Sequence, residues 1–429
     1  MNNDTPVREL TYRNETGETP NLAWTWFSDP RAIIDDEREN GPRVIASAVG
    51  DGSSGDGDIG VVWSELETDT TGSATLRAGL ERDDHNGAAL YKRADGRILA
   101  MYTKHGSDSL TRWRLSAPDD LSTWSPEQTL DHGHGVTYNN IHPGDDCLYS
   151  FTRSVDRDPN VLVSTDDGQS WSYRGKLLTF RGRHRPYVRY ASRDGEIHFV
   201  TTEGHPHSYE NGVYHGVVRD DRLQRSDGTV VTEKISDEVT EAPVTDLTAV
   251  FSPNTRLGGN ILTRAWTVDA AIDPDGNPVA IIQARVDDDR KDHRFLYASY
   301  TRGEWAVTPL ATGGGYLYDG EWDYTGLAAL NPTNPEQVVV STPIDPRDDI
   351  ALDRYTLFAG ERGRSNEWSW EPIATQSAAD DIRPIMIANE SEVILLWLQG
   401  EYNSWTSWDT RVQWLSSPFG RESRDDIMT

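Results

Sequence analysis

Seven times along the chain a short apolar run, a polar turn and a second apolar run recur, with starts roughly 50 to 80 residues apart, the spacing of propeller blades. The clearest copy is DHNGAALY…RILAMYT, from Asp84; another, DPRAII…RVIASAV continuing into DIGVVWSEL, begins at Asp29. TYNNIH…CLYSFTRS begins at Thr137, RPYVRY…EIHFVTTEG at Arg185 and TVDAAID…PVAIIQAR at Thr267. YTGLAAL…QVVVSTPI from Tyr324 and IRPIMIA…EVILLWLQG from Ile382 complete the set. Each copy reads as an antiparallel strand pair, and stretches such as NVLVSTDDGQSWS and RFLYASYTRGEWA supply further strands. No segment sustains a 3.6-residue apolar period. The pattern predicts an all-β protein, a seven-bladed β-propeller formed by residues 24–418 as one domain. Residues 1–23 are an N-terminal segment suited to closing the last blade with an outer strand, and 419–429 a tail.

The segment STDDGQSW, with Ser164, Asp166, Gly168 and Trp171, has the form of the Asp-box of sialidase-like propellers. There Asp and Gly close a tight turn and Trp fills the gap between blades, a structural part with no chemistry of its own.

Composition excludes several partners. The chain of 429 residues has 70 Asp plus Glu against 41 Lys plus Arg, a net charge of -29, so the basic patches that phosphate binding needs are missing and nucleic acid is not expected. No apolar run is long enough to span a membrane. The opening MNNDTPVREL lacks a signal-peptide pattern, so the sequence as it stands reads as cytoplasmic, or as secreted with its leader trimmed. Only five residues are lysine, Lys92, Lys104, Lys176, Lys234 and Lys291. An acidic, lysine-poor exterior suits a salt-adapted protein, although an ordinary acidic bacterial protein has the same profile. The single cysteine, Cys147, rules out an intrachain disulfide and any multi-cysteine metal site.

In a propeller the start of each innermost strand and the end of the next meet on one face. The repeat therefore collects Asp29, Arg31, His85, Asn86, His105, Tyr138, Arg153, Arg185, Tyr187, Glu203, His205, Trp266, Arg285, Asp323 and Arg383 at a common rim. Turn formers would suffice for structure there; His, Tyr and Arg point to a site. His85, Tyr138 and Arg153 suit β-elimination at a uronic acid. A base removes the C5 proton, an acid protonates the departing O4, and a cation neutralises the neighbouring carboxylate. Arg fits the last task because its planar fork pairs bidentately with carboxylate. Asn86, Arg185, Tyr187, His205 and Arg285 are candidates to bind substrate. The chemistry requires no metal or cofactor. A structural calcium at residues 50–58 (GDGSSGDGD) or zinc at His205, His207 and His215 stays open, with solvated or substrate-facing loops preferred at both.

The runs WTWFSDPRAI, DDHNGAALYKRADGRILAMYTKHG, TYNNIHPGDDCLYSFTRS and RPYVRYASRDGEIHFVTTEGHP resemble the BNR-repeat-containing propeller family, which includes ulvan lyases and related enzymes cleaving rhamnose–glucuronate linkages. The resemblance is close over the first four blades and fades afterwards. It implies a lyase in which His85, Tyr138 and Arg153 act on the uronate and His105 supports them, with an acidic oligosaccharide or polysaccharide as partner. Lack of a leader favours an imported oligosaccharide and exo action. Two other classes are carried forward. One is a sialidase-type hydrolase drawing three arginines from Arg31, Arg185, Arg285 and Arg383; the other is a non-catalytic carbohydrate-binding propeller.

Overall fold

The computed structural model describes residues 6–419 except 53–54, 69, 181–184, 236–241, 374 and 376–377. Among these residues there are strands and one-turn 3₁₀ segments but no α-helix. The strands form seven separate antiparallel sheets arranged as a ring, a seven-bladed β-propeller. The innermost strands, in order, are Ala32–Asp35, Ala89–Lys92, Thr137–Pro143, Val188–Arg193, Asn260–Ile272, Ala328–Leu330 and Asp381–Ala388. Each overlaps one of the strand-pair repeats of the sequence, although the fifth begins at Asn260, seven residues before the repeat read from Thr267, and the seventh at Asp381, one before Ile382. The second strands are buried on both faces, because each blade packs between two others, which is why ILAMY and QVVVSTPI read as continuous apolar runs.

Contacts between blades hold the ring. Between the second and third, Leu99 and Met101 pack with Ile141, Leu148, Leu162 and Trp171. Trp171 is placed by the turn before it. Asp166 accepts from the Ser170 amide at 2.9 Å and from Ser170 Oγ at 2.6 Å, while Gly168 takes a φ of +81° beside Leu99. A side chain at that glycine would meet Leu99 Cδ2 at 2.7 Å, so the position needs glycine on both counts.

Two N-terminal pieces tie the ring together. Arg8–Leu10 pairs antiparallel with Val412–Trp414 of Ser407–Ser416 and is the outermost strand of the seventh blade. Further on, Trp24–Ser28 leaves the sheets and enters the central axis. Trp26 and Phe27 there pack against Tyr138, Tyr187, Trp266 and Tyr324, aromatic residues of four different blades. Buried irregular backbone leaves carbonyls that must be satisfied. Three arginines do this: Arg31 donates to Thr25 O at 2.7 Å, Arg189 to Trp26 O and Arg383 to Trp24 O. The axis is therefore plugged.

Candidate active site

The hairpin of the second blade pairs Ala89–Lys92 with Ile98–Tyr102, Ala89 opposite Met101, so the chain returns to the end it left. His85 and His105 consequently meet as stacked rings, with centroids 3.7 Å apart and planes inclined by 10°. His85 lies in the one-turn segment Asp84–Asn86, capped by Asp83. Asp83 Oδ1 accepts from the His85 amide at 3.0 Å and faces its Nδ1 at 2.6 Å; Asp84 Oδ1 is 2.9 Å from the same nitrogen. The other Asp83 oxygen faces His105 Nδ1 at 2.9 Å. Both rings thus turn Nδ1 toward carboxylate, which leaves Nε2 of each for other chemistry.

These contacts separate the two imidazoles electrically. Burial opposes a charge on His85, but Asp83 and Asp84 outweigh it and raise its pKa to about 9. Burial and the charged neighbour His85 lower His105 to about 4, against the pull of Asp83. The stack therefore holds one proton readily and a second poorly. Asp84 is anchored from behind, where Tyr402 Oη donates to its Oδ2 at 2.6 Å and Arg383 Nη1 at 2.5 Å.

Tyr138 is the second residue of Thr137–Pro143, inside the strand rather than before it. It has a φ of +67°, where the register with the neighbouring strand shifts between Thr137 and Asn140. This bulge re-aims its ring toward His85, centroids 5.6 Å apart. Its hydroxyl is buried without a hydrogen-bond partner among the described residues. Burial raises the phenol well above its ordinary pKa, with Arg153 opposing. Arg153, paired with Thr137 across the strands, lays its guanidinium 4.7 Å over the Tyr138 ring and 5.3 Å from that of Tyr187. It is 8% exposed, its Nη1 has no hydrogen-bond partner among the described residues, and burial opposes its charge while the neighbouring tyrosines, rather than carboxylates, favour it. Buried cations in proteins normally have counter-ions, and among the described residues no carboxylate is within ion-pair distance of Arg153. A polar cavity of about 460 Å³ opens beside it, lined by His105, His134, Thr137, Arg153, Arg157 and Arg185.

The wall continues into the fourth blade, where His205 packs on Tyr187 at 5.2 Å and on Trp266 at 4.8 Å. Across from it, Glu321 Oε2 lies 3.3 Å from His205 Nε2. Arg285 donates to both oxygens of Asp323, at 2.8 and 2.6 Å, so its fork is filled. Asn86 is fully buried and its amide donates to Glu81 O at 3.1 Å. Hence the structure brings His85, His105, Tyr138, Arg153, Arg185, Tyr187 and His205 to one mouth and turns Asn86 and Arg285 toward internal partners. Asp29 and Arg31 do not share this rim. They line a second cavity of about 700 Å³ at the other ends of the inner strands.

Among the described residues two sets of groups stand close enough to share a cation, Asp83, His85 and His105, and His205, Glu321 and Asp323, with ligand atoms within 4.8 Å of one another. In the first, both Nδ1 atoms are hydrogen-bonded to Asp83. In the second, His205 Nδ1 accepts from the His207 amide at 3.1 Å, which puts the ring proton on Nε2, and Arg285 occupies both Asp323 oxygens. The donor sets fit hydrogen-bonded networks better than ligands. His215 stands apart from His205, bonded to Ser226 and His198. Asp58, from the acidic loop at 50–58, accepts from the Gly79 amide at 2.8 Å; residues 53–54 of that loop lie outside the described residues.

Residues 46–312, more than half of the chain, match the family model described as BNR repeat-containing family member. The chain belongs to the BNR repeat-containing family. The match to this BNR-repeat protein takes in His85, His105, Tyr138, Arg153 and His205. Its fold is similar to that of a PL25 ulvan lyase bound to -[GlcA(1-4)Rha3S]-, at 14% identity over 95% of each chain and a TM-score of 0.66. The polysaccharide lyase Uly1 is similar at 12% identity over 97% of each chain and a TM-score of 0.56. The lectin BP39L from Burkholderia pseudomallei is similar at 10% identity, covering 92% of this chain and 99% of its own, with a TM-score of 0.54. At such identities the likeness is one of fold. No curated protein matches the chain.

Proposed function

We propose that this BNR-repeat protein is a lyase that cleaves a rhamnose–glucuronate oligosaccharide or polysaccharide at the uronic acid by β-elimination. The observation that carries the reading is Arg153, a buried guanidinium without a carboxylate partner among the described residues, set against a proton-transfer pair and open to a polar cavity. The substrate's carboxylate pairs with this guanidinium and its charge is neutralised, which acidifies C5–H. His85 is the base. Asp83 and Asp84 fix its proton on Nδ1 and strengthen the lone pair on Nε2. Tyr138, whose phenol stays protonated, is the acid. As His85 takes the C5 proton, the C–H electrons form the C4–C5 double bond, the C4–O4 bond breaks, and Tyr138 protonates O4. His105 positions the ring beside it and tunes its charge.

A sialidase-type hydrolase needs three arginines free to clasp one carboxylate. Arg31, Arg285 and Arg383 are instead engaged by Thr25 O, Asp323 and Asp84 respectively. The lectin-like fold also supports a binding-only reading, which the titratable pair argues against. Incubation with rhamnose–glucuronate oligosaccharides, read by product mass, tests the proposal. An unsaturated uronate formed without uptake of water is expected; products heavier by one water would overturn elimination in favour of hydrolysis, and an unchanged substrate would overturn catalysis.

A further inference from the structure

On the sixth-blade side of the same mouth stands a carboxyl group for which the elimination has no use. Glu321 is 8% exposed, its Oε1 has no hydrogen-bond partner among the described residues, and His207 Nδ1 stands 3.7 Å from that oxygen. His205 presents Nε2–H to Oε2, because its Nδ1 is already occupied by the His207 amide. Two residues on, Asp323 is bound through both oxygens by Arg285 and approached by His293 Nε2 at 3.5 Å. Arg185, from the fourth blade, and Tyr318, whose hydroxyl also has no partner among the described residues, complete the charged and titratable surroundings.

Two adjoining carboxyls served by one bound guanidinium cannot both ionise cheaply. Asp323 has the arginine, and despite its burial the bonds from His293 and Arg285 hold it below its ordinary pKa. Glu321 has none; burial and the Asp323 charge push it up to about 8. At neutral pH its unpartnered Oε1 is therefore a hydrogen-bond donor. The wall from Arg153 through Tyr187 and His205 to Glu321 is continuous.

We propose that Glu321 is a specificity-determining residue: as a neutral carboxyl it donates a hydrogen bond to an acidic group of the bound oligosaccharide, and once ionised it repels that group. The proposal rests on the reading of the substrate as a uronate-bearing oligosaccharide. It makes affinity for the acidic sugar fall as the medium becomes alkaline, the reverse of what His85 does for the chemical step.

The test is calorimetric binding of a rhamnose–glucuronate tetrasaccharide and its uncharged methyl ester to the full chain carrying Tyr138→Phe, with and without Glu321→Gln. Between about pH 6.5 and about pH 9, Kd for the acid should rise about tenfold with Glu321 present, from loss of its proton. With Glu321→Gln, which keeps a neutral donor, it should rise only about twofold, the share owed to deprotonation of His85. The ester should show neither rise. Equal pH dependence with and without Glu321→Gln, in proteins with the same unfolding temperature, would overturn the proposal and leave the lyase reading intact. Absence of unsaturated product from the unmutated protein, with the pH-dependent affinity retained, overturns only the lyase. Failure to bind the acid at either pH overturns both.

Discussion

Asp83 and Asp84, the residues just before His85, decide how that ring faces and how strongly it holds its proton. A base must be unprotonated to act, and Asp83 and Asp84 push His85 up to about 9 against its burial, so turnover at saturating substrate should climb with pH through the neutral and mildly alkaline range. Asp83→Asn removes one of the two charges and should move the rising limb downward while lowering the plateau, as read from a pH–rate profile. The same raised pKa stabilises the fold below the unfolded value of about 6.5, and that contribution is lost as pH rises through about 9. His85→Ala and Tyr138→Phe should each reduce turnover by roughly a hundredfold or more. Arg153→Lys should also fail, since a point charge does not replace the bidentate fork. Formation of unsaturated uronate measures all three, and near-normal turnover in folded His85→Ala would sink the assignment. The histidine pair was legible because a hairpin returns its ends to one edge. Asp83 and Asp84 stood beside it in DDHN, where the Asp cap was the overlooked signal. Glu321 was not legible, for its environment is made by Asp323, Arg285 and His205, brought together only by ring closure.

At the scale of the element, the segment Trp24–Ser28 shows where reading by periodicity ends. Strand pairs announce themselves because each alternates with a turn, whereas WTWFS has apolar character without a period and no local partner. Its structure comes from four blades that contribute Tyr138, Tyr187, Trp266 and Tyr324 from distant parts of the chain. The bulge at Tyr138 was hidden for a similar reason, since a positive φ at a tyrosine is imposed by packing rather than by propensity. Trp26→Ala removes a ring packed on Phe27, Trp266 and Tyr324 and should cost about 3–5 kcal/mol, read as a lower unfolding temperature. Because Phe27 in turn packs on Tyr138 and Tyr187, activity should fall before the fold does on heating this variant.

Over the whole molecule, charge and closure set the stability. With a net charge of -29, self-repulsion opposes the compact state, and added salt should raise the unfolding temperature by screening it. A scan of unfolding against sodium chloride checks this, and a flat response would show that local pairing already cancels the repulsion. Deleting residues before Asn14 removes Arg8–Leu10 and bares the edge of Ser407–Ser416, so the truncated protein should unfold earlier and self-associate through that edge in light scattering. The closing strand and the axial plug precede the inner strand of the first blade, yet their partners, Val412–Trp414 and Arg383, belong to the seventh. Blades can form one by one as the chain emerges, but the ring cannot shut, nor Asp84 receive Arg383 behind the base, until the seventh blade has been made. A nascent or truncated chain therefore holds most of the architecture and none of the finished site.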